Sequence, residues 1–247
     1  MRNDNENVCS PQSMGCCDLS FSEDGGNHKK QWLSLLLSKF PKRRPLKIMD
    51  VGTGSGFFPI ILSQVGHKVT GIDISSETIN LARCNAAQES VSPELLVMDG
   101  HSTTFPDGSF DAVISRNVVW SLKRPKEAYR EWHRLIKPGG RLLVFDADWL
   151  VDCRDEEIRN LEIEDRNEFI AQFGPPPKAF DEYIAGLDWR KGLPLAARNR
   201  PEWDEKELLS IGFRNITSSY ISGEVYGYGE LVLTRSMPLF MINATKI

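Results

Sequence analysis

Apolar residues change their spacing several times along the chain, and each change marks an element. In HKKQWLSLLLSKF, Trp32, Leu36 and Phe40 recur every four positions with Leu33 and Leu37 beside them. That stripe predicts an amphipathic helix, ended by Pro41 and Pro45. From residue 46 the pattern turns to strand, turn and helix in repetition. LKIMDV (46–51), HKVTGIDI (67–74), ELLVMD (94–99), FDAVIS (110–115) and RLLVFDA (141–147) read as strands. FFPIILSQV, SETINLARCNAAQ and PKEAYREWHRLI (125–136) read as the helices between them, with Pro59 near the start of the first and Ser75 or Ser76 capping the second. KPGG (137–140) is a turn. This alternation implies right-handed crossovers and a parallel sheet covered on both faces.

After Trp149 the alternation stops. Residues 150–198 are charged and helix-prone, interrupted by GPPP (174–177), and predict a helical insertion over the carboxyl edge of the sheet. PEWDEKELLSIGF (201–213) restarts a helix, and two strand-like segments follow near 214–226 and 230–235. Residues 1–27 are rich in Asn, Asp, Ser and Gly and predict a flexible arm, leaving residues 28–247 as one domain.

Composition narrows the function classes. A net charge of −4 on 247 residues argues against a broad nucleic-acid surface, and no apolar run reaches membrane-span length. The polar MRNDNENVCS lacks the apolar core of a secretory signal, so a cytoplasmic protein is expected. The five cysteines, Cys9, Cys16, Cys17, Cys84 and Cys153, match no zinc spacing. They read as reduced thiols, with capture of a soft metal or metalloid by the tail as the sharper alternative. No metal site is expected.

The stretch DVGTGSGFF (50–58) carries the first chemistry. A glycine turn between strand and helix lets a ligand approach the backbone and the helix amides. Its spacing, Gly52-x-Gly54-x-Gly56, is one residue tighter than the dinucleotide fingerprint. Asp73 ends the second strand 21 residues after Gly52, the position of an acid that accepts two hydrogen bonds from a ribose diol. Helix capping is the plainer role for the same side chain.

DVGTGSGFF, GIDIS (71–75), VMDGHSTTFPDGSFDAVISRNVVW (97–120) and LIKPGGRLLVFD (135–146), in this order, resemble the class I S-adenosylmethionine-dependent methyltransferases, on the branch acting on small molecules. The resemblance is close over residues 46–147. It implies an α/β Rossmann-like seven-stranded sheet, mostly parallel with an antiparallel last strand, helices on both faces and a helical lid insertion at 150–198. It implies S-adenosylmethionine as cofactor and S-adenosylhomocysteine as product. Asp50 and the turn Gly52, Thr53, Gly54, Ser55 and Gly56 would lie against the methionine part. Asp73 would take the ribose diol and Ile74 the adenine face. Asp99 would meet the adenine amino group, and Gly100 or His101 would cover its ring nitrogen. Ser115, Arg116 and Asn117 would end the fourth strand at the pocket mouth.

Methyl transfer from a sulfonium asks mainly for alignment and exclusion of water, with a base needed only for an alcohol, phenol or protonated amine. His101 is the candidate base, against the backbone contact that its position more often supplies in that family. His133 reads as a packing residue. Trp120 and Trp149 fall just beyond strand ends and, with Tyr183 and Trp189, are candidates for the acceptor wall, core packing being the alternative. The place where relatives acting on base or glutamine amines carry Asn/Asp-Pro-Pro-Tyr reads Ser-Arg-Asn-Val here. The expected reaction is methyl transfer to a small molecule, with no nucleic-acid or membrane partner. The alternatives are a soft metalloid or thiol acceptor, a cofactor-binding protein without turnover, and a nicotinamide oxidoreductase.

Overall fold

The structure, a computed structural model, describes residues 25–42, 45–174, 187–225 and 235–247. Helix α1 (Gly25–Lys39) precedes strand β1 (Lys47–Val51), and α2 (Phe57–Gln64), β2 (Lys68–Asp73), α3 (Ser76–Gln88) and β3 (Glu94–Val97) follow. Then come β4 (Phe110–Arg116), α4 (Pro125–Leu135), β5 (Ile136–Asp146), α5 (Glu156–Phe173), α6 (Glu202–Ile211), β6 (Phe213–Tyr220), the short α7 (Ser222–Val225) and β7 (Phe240–Lys246). The strands form one seven-stranded sheet in the order β3-β2-β1-β4-β5-β7-β6. Strands β1 to β5 pair in parallel, and β7 runs antiparallel to both β5 and β6. The expected fold class is the one observed.

Alternation along the central strands explains the layering. Ile48, Ala112, Ile114, Leu143, Phe145 and Met241 face one way and pack on Trp32, Leu36, Phe57, Phe58 and Ile61 of α1 and α2. Met49, Val113, Leu142, Val144 and Ile242 face the other way and pack on Ala128, Tyr129, Trp132 and Leu135 of α4 and Leu208 of α6. A strand covered on both sides has no polar face to show, which is why these segments read as continuous apolar runs. Leu95 on β3 closes a smaller cluster with Ile60, Ile79, Ala82 and Ala86.

Two corrections concern the later strands. KPGG is not a turn before a strand: β5 begins at Ile136, opposite Phe110, and the pairing resumes at Arg141 opposite Ala112. Lys137 to Gly140 therefore bulge out of one strand, fastened by Lys137 donating to Asp111 at 2.7 Å. The last strand is Phe240–Lys246, beyond the expected segment near 230–235, of which residues 230–234 lie outside the described residues. The arm with Cys9, Cys16 and Cys17, most of GPPP, and Tyr183 lie there as well. Cys84 on α3 is disulfide-bonded, against the expectation of reduced thiols throughout, and Cys153 is a free thiol.

Candidate functional site

In this strand order the chain reverses direction across the sheet between β1 and β4, and open α/β sheets bind ligands at that crevice, outside the carboxyl ends of the strands. The glycine turn follows β1 there. The amides of Gly52 and Thr53 both donate to the carbonyl of Ile72, at 2.8 and 2.9 Å, so the turn is folded back against β2. Gly52 has φ +69, and a Cβ on it would stand 2.2 Å from Val118 Cγ2. Its role is close packing of the turn on the loop after β4. Gly54 differs: at φ +56, a Cβ on it would meet nothing within 4 Å. The space in front of Gly54 is open. Ser55 and Gly56 complete the turn, with the Ser55 carbonyl held by Asn85 of α3 at 2.9 Å and Gly56 starting α2.

Asp50 is 2% exposed and accepts the Thr53 hydroxyl at 2.7 Å. Burial dominates its titration and pushes its carboxyl up to about 7, against the Thr53 hydrogen bond and the charge of Arg116, which both lower it. Arg116 ends β4 with its guanidinium 4.9 Å from the Phe57 ring centre, 5.1 Å from that of Phe58 and 5.5 Å from that of Trp32. Stacking on three rings fixes this cation in place. Beside it, the buried Ser115 hydroxyl donates to the Val51 carbonyl, and Asn117, at φ +57, donates its amide to the Phe145 carbonyl at 2.8 Å.

Asp73 takes the Ser75 amide on Oδ1 at 3.0 Å and the Gly54 amide on Oδ2 at 3.2 Å. It therefore ties the glycine turn to the end of β2, and Ser75 rather than Asp73 caps α3, accepting the Thr78 amide. Each carboxylate oxygen retains acceptor capacity. Ile74, the next residue, is 77% exposed. Asp99 receives both the backbone amide and the ring Nδ1 of His101 on Oδ1, at 2.9 and 2.6 Å, while Oδ2 lies 4.0 Å from Arg124. Burial works to raise its carboxyl, but the two His101 bonds and the Arg124 charge outweigh it and hold it below the usual range. The carbonyl of Gly100 accepts the indole N–H of the fully buried Trp132 at 3.0 Å, which anchors this loop to α4. His133 packs edge-on against Phe213, as a packing residue would.

Of the residues expected at the acceptor wall, Trp120 and Trp189 bring their rings to 6.3 Å, 34° between planes. Trp120 Nε1 donates to the Asn117 carbonyl at 3.1 Å, and Trp149 meets Arg190 through its carbonyl. A group that sequence reasoning missed holds the Trp120 backbone. The backbone amide of Trp120 donates to Asp146, which is wholly buried with Arg200 at 2.8 Å. Arg200 also holds Asp204 at 2.8 Å, and Asp204 accepts the Tyr129 hydroxyl at 2.6 Å. Burial raises the carboxyl of Asp146, and Arg200 opposes the rise. Apart from Arg200 and Asp204, which are four positions apart, these partners stand 26 to 75 positions apart in the chain.

A doubly wound sheet with an antiparallel last strand, a glycine turn on open space and acids at the ends of β1 and β2 and just past β3 defines a Rossmann-like α/β domain. Residues 49–144 match the family model described as a methyltransferase domain. Demethylmenaquinone methyltransferase of Thermus thermophilus is 32% identical over 130 residues, 52% of this chain and 57% of that protein. Among solved structures, phosphoethanolamine N-methyltransferase 2 of Haemonchus contortus, in complex with S-adenosyl-L-methionine, is similar at a TM-score of 0.61 with 18% identity. The match covers 88% of this chain and 52% of that one. A Pyrococcus horikoshii protein is similar at a TM-score of 0.61 with 19% identity, over 92% of this chain and 93% of its own. Residues 49–144 are thus similar to a methyltransferase domain, and the sheet has the fold of these solved structures. The chain's aligned part spans between 20% and 57% of the length of the first three curated relatives it matches. No helix among the described residues is long and apolar enough to cross a membrane.

Proposed function

We propose that the chain binds S-adenosylmethionine across the carboxyl ends of β1, β2 and β3 and transfers its methyl group to a small-molecule acceptor beneath the 150–198 insertion. The observation that carries this reading is the pairing of Gly54 with Asp73. One amide hydrogen bond joins them, open space lies in front of the glycine, and the carboxylate still has an acceptor site on each oxygen. A vicinal diol fits that arrangement.

The remaining residues suit the rest of the cofactor. Asp50, buried beside the stacked Arg116, gives the amino-acid end a carboxyl and a cation. Ile74 offers an exposed apolar surface for a purine, and Asp99 offers Oδ2 to its amino group. Ser115 and Asn117 hold the backbone at the pocket mouth. His101, with Nδ1 engaged by Asp99 and Nε2 buried without a partner, acts as a positioned loop residue rather than a base. When bound, the cofactor supplies a methyl group on a positively charged sulfur, so the chain's contribution is alignment and exclusion of water. Trp120 and Trp189 wall the acceptor side, and the Arg200 pair holds the Trp120 backbone in place.

The relatives named above act, by their names, on demethylmenaquinone and on phosphoethanolamine, which differ in chemistry. Acceptor identity therefore does not follow from kinship. A soft-metalloid or thiol acceptor rests on cysteines that lie mostly outside the described residues. The described free thiol, Cys153, is pushed up by burial and by Asp152, which disfavours a thiolate. A nicotinamide dinucleotide is disfavoured by the tight glycine spacing. Incubating the protein with methyl-labelled S-adenosylmethionine and a cell extract tests the proposal. Label in the small-molecule fraction is expected. Label confined to macromolecules, or none above a heat-killed control, would contradict it, and the second result would favour binding without turnover.

A further inference from the structure

Asp50 is an acid set into an apolar face of the sheet. Strand β1 carries it between β2 and β4, opposite Gly71 on one side and Ile114 on the other. Side chains two apart on a strand share a face, so Asp50 points with Ile48 toward the side that Phe57 and Phe58 of α2 cover. There it accepts the Thr53 hydroxyl on Oδ2. Gly71 makes room for that hydroxyl, since a Cβ on it would stand 2.7 Å from Thr53 Oγ1. Two charged groups act on the carboxyl: Arg116 from the end of β4 and Asp73 from the end of β2. Helix α2, FFPIILSQ, brings no titratable group, and α1 lays His28 against the Phe57 ring, 5.6 Å between ring centres.

A carboxyl buried in this way holds its proton more firmly than one in water. Burial is the largest effect and pushes it up to about 7, with Arg116 opposing the rise and Asp73 adding to it. Near neutral pH the ligand-free site is therefore divided between a neutral and an ionised Asp50, beside a cation that three rings hold in place. The amino-acid end of the cofactor carries one ammonium and one carboxylate. Its carboxylate suits Arg116. Its ammonium, with three N–H donors and no acceptor, suits an ionised Asp50 and loses the charge attraction of a protonated one. When one form of a site is competent, apparent affinity scales with the fraction in that form.

We propose that cofactor binding expels a proton from Asp50, so that affinity for S-adenosylmethionine rises with pH. This rests on the cofactor reading above and adds the regulation of that same site. Calorimetric titration of the full chain with S-adenosylhomocysteine, in two buffers of different ionisation enthalpy, reads both the affinity and the protons. Affinity should rise about tenfold from pH 6 to pH 8, with about 0.9 proton released per ligand at pH 6 and about 0.1 at pH 8. Asp50→Asn keeps the shape but cannot ionise, and should lose this slope. Carbon-13 carboxyl NMR of aspartate-labelled protein gives a second reading, with the Asp50 signal identified as the one missing from the variant. Its midpoint should fall by about one pH unit or more when ligand saturates the site. Proton uptake on binding, an affinity that stays level or falls from pH 6 to pH 8, the same slope in the variant, or an unmoved Asp50 midpoint would overturn the proposal. Absence of S-adenosylhomocysteine binding at every pH would overturn the cofactor reading as well, whereas binding without a slope overturns the proton linkage alone.

Discussion

Asp50→Asn should make the ligand-free protein more stable at pH 8 than the parent, by an amount that shrinks as the pH falls. The carboxyl is raised from 3.8 to about 7, chiefly by burial. A raised acid contributes stability that is intact below its unfolded value and lost as pH rises through its folded one. At about 1.36 kcal/mol per unit, the loss at pH 8 is about 4 kcal/mol, and about 3 kcal/mol of it falls between pH 5 and pH 8. Asparagine keeps the size and an oxygen for the Thr53 hydroxyl but has no charge to desolvate. Urea unfolding of both proteins at pH 5, 6.5 and 8 measures the effect. The stability difference, variant minus parent, should rise by about 3 kcal/mol from pH 5 to pH 8 and flatten above pH 7. A difference that stays constant across that range would refute the argument, because it would mean that Asp50 does not titrate between those values.

The two glycines should separate packing from ligand space. Gly52→Ala, whose new methyl meets Val118, should destabilise by about 1–3 kcal/mol from overpacking beyond its backbone strain, read as a lower midpoint of thermal unfolding. Gly54→Ala should cost only the left-handed backbone penalty of about 1–2 kcal/mol, yet weaken S-adenosylhomocysteine binding because its methyl enters the open space. Asp73→Ala should weaken that binding by about 1.5–3 kcal/mol through loss of charge-assisted hydrogen bonds, and an unchanged calorimetric affinity would remove the diol assignment. Arg200→Leu leaves Asp146 and Asp204 buried without their cation and should destabilise by about 3–5 kcal/mol in urea unfolding. A change under 1 kcal/mol on the order of a surface pair would show that the network does not anchor the Trp120 loop.

The parts legible in the sequence are those whose signal is local. Strand β1 and its glycine turn, Asp73 at the end of β2, and the stripe of α4 each sit within a short window whose period or turn chemistry specifies them. The bulge in β5 looks like a turn in the sequence because Gly139 and Gly140 break the strand pattern, and only the register with β4 reveals a continuous strand. Strand β7 escaped because Phe240 to Ile242 form a short apolar run, while the segment before it, ELVLT, carries the stronger strand signal. The Asp146–Arg200–Asp204–Tyr129 network is hidden for a different reason: only its Arg200–Asp204 pair is local, and tertiary folding brings Asp146 and Tyr129 to it from 54 and 75 positions away.

The central claim is that the turn between β1 and α2, with Asp73 and Asp99, is shaped for S-adenosylmethionine. Isothermal titration calorimetry with S-adenosylhomocysteine and, separately, with NAD tests it most directly. One site of micromolar affinity for S-adenosylhomocysteine and no heat from NAD are expected. Binding of NAD without S-adenosylhomocysteine would contradict it.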